Sequence, residues 1–183
     1  MIDISLDDAF FPVSSVRADG TVLIRSARGR DKAALVSFDV DIGVQAVVLE
    51  NPDVDINWPT NLTYSFEPDL IRMGPNTKDR IALTPRGQVF LDIIGQFPQP
   101  VDLQMTVPSS SGRYVTQALS VQGKSIIYLL IVFEEKSYVT LAEHPLRAYG
   151  EHLLQERAVP FTARDGLEIP AVMRVPEGVE GHV

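Results

Sequence analysis

The sequence predicts a mainly β fold of antiparallel four-stranded meanders, with one or two short helices and a C-terminal β-hairpin. Three observations carry this. Short apolar stretches alternate with polar residues at the period of two that a half-buried strand requires. Gly, Asp, Asn and Pro clusters separate them where hairpin turns belong. Two such four-strand runs also lie about 92 residues apart, with turns at matching places.

The first meander is predicted over residues 9–51. Phe10 to Val16 supplies a strand that Pro12 confines to an edge, because proline has no N–H to give a ladder. Asp19-Gly20 turns into Thr21 to Arg25. In Lys32 to Val40, residues Ala34, Val36, Phe38 and Val40 face one way and Leu35, Ser37 and Asp39 the other. Asp41-Ile42-Gly43 is a short hairpin loop, and Gln45 to Leu49 returns. In the second meander Val101, Leu103, Met105 and Val107 alternate with Asp102, Gln104 and Thr106. Ser111-Gly112 then turns into Tyr114 to Ser120, Gln122-Gly123 into Ser125 to Phe133, and Glu134-Glu135-Lys136 into Tyr138 to Ala142.

Asp19-Gly20-Thr21-Val22 stands 92 residues before Ser111-Gly112-Arg113-Tyr114, and Val48-Leu49-Glu50-Asn51-Pro52 stands 93 before Leu141-Ala142-Glu143-His144-Pro145. A repeated four-stranded sheet is the mark of β-propeller blades, so a partial β-propeller is the expected architecture. The spacing is twice the ~40–50 residues of one blade. A divergent blade or a helical insertion is therefore expected in between. The competing reading is a sandwich of two hairpin-rich sheets that share only turn chemistry. Within the irregular stretch 58–100, Thr84 suits an N-cap and Pro85 a first helical position. Phe90, Ile93, Ile94 and Phe97 follow at helical spacing, predicting a helix from about Arg86 to Ile94 that Gly95 and Pro98 end. His144 to Gln155 reads either as a second helix, with Leu146, Tyr149, Leu153 and Leu154 on one face, or as an extended linker.

Composition narrows the function. The net charge of −8 lacks the basic footprint of a nucleic-acid binder and disfavours an anionic membrane surface. With no cysteine, disulfides, thiolate metal sites and thiol catalysis are excluded. Met1 to Asp8 is acidic where a secretory signal is basic. The longest apolar run, Ile126 to Phe133, is far shorter than a membrane span. A cytoplasmic location is the expectation.

No catalytic constellation assembles. A Gly-x-Ser-x-Gly elbow is missing, and Ser109-Ser110-Ser111-Gly112 reads as a turn. His144 and His152 are eight apart, not the i, i+4 of a helical metal pair, and His182 is remote from both. Asp39-Val40-Asp41 and Asp53-Val54-Asp55 lack a calcium-loop pattern and read as charged strand ends. Asn61-Leu62-Thr63 matches a glycosylation sequon, a pattern frequent by chance. No catalytic residue, metal site or cofactor is expected. The one basic cluster, Arg25 to Lys32, lies on a turn. Within it Arg28 and Arg30 are the candidates for a carboxylate or interdomain contact; the plainer reading is a solvated turn paired with local Asp residues.

The C-terminal run Phe161 to Pro176 reads as a hairpin. Asp165-Gly166 signals a two-residue type I′ turn. Leu167, Ile169, Ala171, Met173 and Val175 then alternate as one strand, kept near an edge by Pro170. With the following Pro176-Glu177-Gly178, this run resembles the opening of the hydrolase domain in serine peptidases of the prolyl oligopeptidase family, which includes acylaminoacyl and dipeptidyl peptidases. Ser26-Ala27-Arg28-Gly29-Arg30-Asp31 followed by Leu35-Val36-Ser37-Phe38-Asp39 resembles a propeller-blade turn and strand of its bacterial members. The resemblance implies a partial propeller over 1–145, with blades at about 9–57 and 101–144 and an insertion at 58–100. It further implies a linker at 146–160 and the first hairpin of an α/β-hydrolase domain at 161–183. By that resemblance the chain gates access of a peptide substrate in a parent enzyme, the hydrolase domain that would be its partner carries the catalytic residues, and none of these falls on this chain. The alternative is a stand-alone β-rich binding or scaffolding module.

Overall fold

The structure, a computed structural model, describes residues 10–74, 79–98, 101–121, 125–152, 156–169 and 171–174. It is mainly β. Strands β1 (Phe10–Pro12), β2 (Thr21–Ser26), β3 (Ala34–Asp39) and β4 (Gln45–Leu49) form an antiparallel meander in chain order. A three-stranded sheet of β5 (Ile56–Thr60), β6 (Leu70–Met73) and β7 (Arg80–Ala82) follows, then helix α1 (Pro85–Ile94). A second four-stranded meander holds β8 (Val101–Pro108), β9 (Tyr114–Val121), β10 (Ile126–Val132) and β11 (Ser137–Glu143). A 3₁₀ segment over Pro145–His152, kinked at Tyr149, stands where the second helix or linker was expected. Two short pairs end the described chain: β12 (Glu156–Ala158) with β15 (Val172–Arg174), and β13 (Phe161–Thr162) with β14 (Glu168–Ile169).

The three larger sheets share one rhythm. First strands begin at Phe10, Ile56 and Val101, second strands at Thr21, Leu70 and Tyr114, third strands at Ala34, Arg80 and Ile126. Equivalent starts are thus about 44–49 residues apart. In the middle unit, α1 takes the place that β4 and β11 hold in the others. The segment read as irregular is therefore a third sheet plus a helix. Its pattern is hidden because its strands are short and its central strand buries successive residues, Leu70 and Ile71, on opposite faces, which removes polar alternation there. On β6, Ile71 points into a core with Val13, Leu23, Leu35 and Ile56, while its neighbour Leu70 joins Leu62, Phe90, Ile93, Val115, Leu119, Leu129 and Ile131. Successive strand residues point to opposite faces, so one strand serves two cores. On the far side of the first sheet, Ile24, Ala34 and Val36 form a third, smaller cluster. Among the described residues no helix is long and apolar enough to cross a membrane.

Helix α1 matches its expected span. Thr84 is its N-cap: the hydroxyl accepts from Gly87 N–H at 3.0 Å, and Pro85 opens the first turn. Gly95 caps the end in a right-handed conformation, its N–H reaching Leu91 and Ile93 carbonyls.

The C-terminal hairpin departs from expectation twice. The turn is not a two-residue type I′. Gly166 N–H donates to Ala163 O and Ala163 N–H to Leu167 O, with Gly166 alone in the left-handed region at φ 87°. This is a longer loop closed by a bulge, in which Asp165 instead accepts from Leu167 N–H at 3.1 Å. Nor does one strand run from Leu167 to Val175. Pairing with β13 stops at Ile169, and Val172 to Arg174 pairs with β12. The sequence places a proline, without an N–H, between the two. Pro176-Glu177-Gly178 lies outside the described residues.

Two local contacts make predictions. Arg80 of β7 keeps only 6% of its side chain exposed and donates to Asp102 of β8 at 3.1 Å, tying the middle sheet to the third. Burial pulls its guanidinium below the ordinary arginine value, and the Asp102 carboxylate pushes it back up. Asp102→Ala is expected to cost about 3 kcal/mol in urea unfolding, because it strands a buried cation, whereas Arg80→Met with Asp102→Leu is expected to be near neutral. At the first turn, Thr21 Oγ1 and Thr21 N–H both donate to Asp19, at 2.7 and 3.0 Å. They hold its carboxyl below the ordinary aspartate value. The stabilisation is therefore present above the unfolded-state pKa and disappears as pH falls through the folded one. In an NMR titration, Thr21→Val is expected to raise the Asp19 pKa toward its ordinary value.

Candidate ligand-binding groove

Strands β1, β5 and β8 are the first strands of their sheets, and each pairs on one side only. Their open edges lie next to one another and line a trough. A groove of about 270 Å³ runs from Pro12 through Ser15 to Trp58, Pro59 and Phe66. A second of about 410 Å³ continues from Pro59, Thr60 and Asn61 past Tyr64 and Phe66 to Leu103, Gln104, Thr106 and Pro108. Pro59 and Phe66 belong to both. Each edge strand carries a proline, at 12, 59 and 108, which blunts it against pairing with another strand.

Aromatic side chains dominate the rim. Trp58 is 59% exposed, Tyr64 63% and Phe66 70%. Phe11 packs on Trp58 with ring centroids 5.5 Å apart and planes 55° apart. Phe66 has φ 55°, a backbone region costly for a bulky side chain and enriched at functional positions.

The loop that carries Tyr64 and Phe66 is fastened at both ends. Arg17 clamps Glu67 through Nη2 at 2.8 Å and Nε at 3.1 Å, linking it to the first sheet. Asp69, buried, accepts from Leu62 N–H at 2.7 Å and from Thr84 Oγ1 at 2.6 Å, linking it to α1. Thr63 and Ser65 hydroxyls meet at 2.6 Å within it. Arg86 of α1 lies over the Phe133 ring at 4.4 Å and donates to Gly112 O, so the third sheet is fixed to the same helix. The groove is thus a rigid surface set by three units.

The expected site residues lie elsewhere. Arg28 is exposed on the β2–β3 turn, its N–H donating to Ser26 Oγ at 3.2 Å. Arg30, half-buried, approaches the Glu50 carboxylate at 3.9 Å, and its Nη1 has no hydrogen-bond partner. Neither lines the trough. Ser109 and Ser111 cap their own turn, accepting from Tyr114 and Arg113 N–H groups. Asp39 accepts from Asp41 and Ile42 N–H, and Asp55 from Ala33 N–H at 2.7 Å, so these carboxylates serve turns and an inter-sheet contact. His144 Nδ1 accepts from Leu146 N–H, and His182 lies outside the described residues. Among the described residues no group of His, Asp or Glu is placed to hold a metal ion.

Sequence reasoning missed the trough residues. The signal for them was the unplaced segment's own composition: Trp58-Pro59, Tyr64 and Phe66 put aromatic residues and prolines in a stretch with no apolar periodicity. No family model matches the chain, and no curated protein matches it. The arrangement offers aromatic side chains, amides and hydroxyls, and among the described residues its lining holds no carboxylate, imidazole, ammonium or guanidinium. Its aromatic rim and few polar groups are suited to binding.

Proposed function

We propose that the chain is the late propeller portion and domain junction of a serine peptidase of the prolyl oligopeptidase type, controlling access and performing no chemistry. The observation that carries the reading is the three-unit rhythm of about 44–49 residues, with the first strands of all three units side by side along one trough. In a propeller the innermost strand of each blade borders the central channel, and the period agrees with a blade of ~40–50 residues. The Phe161–Ile169 pair adds the hairpin resemblance, and the neutral trough agrees with a gating surface. A peptide as the gated substrate, a hydrolase domain as partner and a cytoplasmic location belong to the same proposal.

A second reading, a stand-alone binding module, has its own support. Among the described residues, both large cores are built from Val13 to Tyr138. Two measurements separate the readings. The coding sequence beyond codon 183 is expected to contain a Gly-x-Ser-x-Gly segment under the peptidase reading, and its absence would sink that reading. The 183-residue chain is expected to hydrolyse no chromogenic peptide. A sharp thermal transition from a monomer on size exclusion favours the module, and association with marginal stability favours a portion of a larger propeller.

A further inference from the structure

We propose that the aromatic trough is a binding site for a neutral oligosaccharide chain. The inference goes beyond the gating role and holds for this chain with or without a hydrolase domain. Trp58, Tyr64 and Phe66 are exposed side chains lining the two joined grooves, and Phe11 packs against Trp58. The C–H faces of a pyranose ring stack on such platforms. Charge agrees: the chain carries 16 basic and 24 acidic residues, yet among the described residues none of them lines the trough. A charged ligand would meet no counter-ion there and would be desolvated without compensation.

The polar part of the lining selects among neutral ligands. Hydroxyl and amide groups of Thr60, Asn61, Thr63, Gln104 and Thr106 line the same groove as Tyr64 and Phe66. Each of these groups both donates and accepts, as sugar hydroxyls do. An extended peptide would instead add itself to an open strand edge, and Pro12, Pro59 and Pro108 each take one donor from the edges such pairing would use. The left-handed backbone of Phe66 lifts its ring out of the loop to 70% exposure, although the loop is anchored at Glu67 and Asp69. Such strain is held where a side chain has to be presented.

Trp58 is the chain's single tryptophan, so its emission reports on this site alone. The full 183-residue chain is titrated with cellohexaose, maltohexaose and xylohexaose, then with polygalacturonate and a proline-rich decapeptide. The expected result is a saturable emission change with at least one neutral hexasaccharide, and at least about 10-fold weaker responses to polygalacturonate and the peptide. Phe66→Asn and Tyr64→Ala are each expected to weaken sugar binding by about 10-fold or more. Asn tolerates the left-handed backbone and both positions are exposed, so the thermal midpoint should stay in place. No saturable response to any of the three sugars overturns the proposal. So does equal or tighter binding of the peptide, or sugar affinity unchanged in both variants.

Discussion

Gly87→Ala is expected to lower stability by about 3 kcal/mol, with a fall in the thermal midpoint of roughly 6–12 °C. Gly87 lies in the first turn of α1, where the helix crosses the start of β6. A Cβ built there would stand 2.1 Å from the Asp69 carbonyl oxygen, 3.0 Å from its carbon and 3.1 Å from Leu70 Cδ2. The nearest atoms are backbone, so no rotamer change relieves the clash and the helix has to move. That movement also pulls Thr84 away from Gly87 N–H and from Asp69. Gly43→Ala is the matched comparison. Its φ is 72° and nothing lies within 4 Å of the added carbon, so only backbone strain of about 1 kcal/mol is expected. Urea unfolding of the two variants distinguishes close packing from conformational preference.

Asp69→Ala is expected to cost a similar amount, about 3 kcal/mol, by a different route. One carboxylate oxygen accepts from Leu62 N–H and the other from the hydroxyl that caps α1. Removing both leaves a buried N–H without an acceptor and loosens the helix cap. Asp69→Asn keeps one acceptor and turns the other position into a donor, so about 1–2 kcal/mol is expected. The two variants should also differ at the trough. Asp69 anchors the end of the loop that displays Tyr64 and Phe66, and the alanine variant should show a larger change in Trp58 emission in the folded state. Equal stability for the two variants would mean that the carboxylate's double acceptance is not what holds the loop.

The four-stranded meanders were legible from their turn residues and from strands such as Val101 to Val107, whose apolar and polar residues alternate. Helix α1 was legible from its cap, since Thr84-Pro85 and the Phe90, Ile93, Ile94 spacing are local signals. The middle sheet was not. Its strands hold only three to five residues, β5 contains Trp58-Pro59, and β6 sends Leu70 and Ile71 into two different cores. The missed site has a separate cause. Tyr64 and Phe66 become neighbours of Leu103 and Thr106 only once the third sheet is stacked on the second, a relation that no local pattern encodes. The Asp165-Gly166 signal located its turn correctly but not its type, because a lone left-handed glycine also closes a longer bulged loop.

The account rests on the middle segment being a sheet clamped between the other two, since only then do β1, β5 and β8 share one trough. Native-state hydrogen exchange at Leu70 and Ile71 tests this directly. Both amides lie on the central strand of that sheet, under cores on either face. They are expected among the slowest exchangers, with an opening free energy equal to that of global unfolding measured in urea. Exchange of β6 as fast as the turn amides, while β2 and β9 remain protected, would contradict the three-sheet stack and the binding trough built on it.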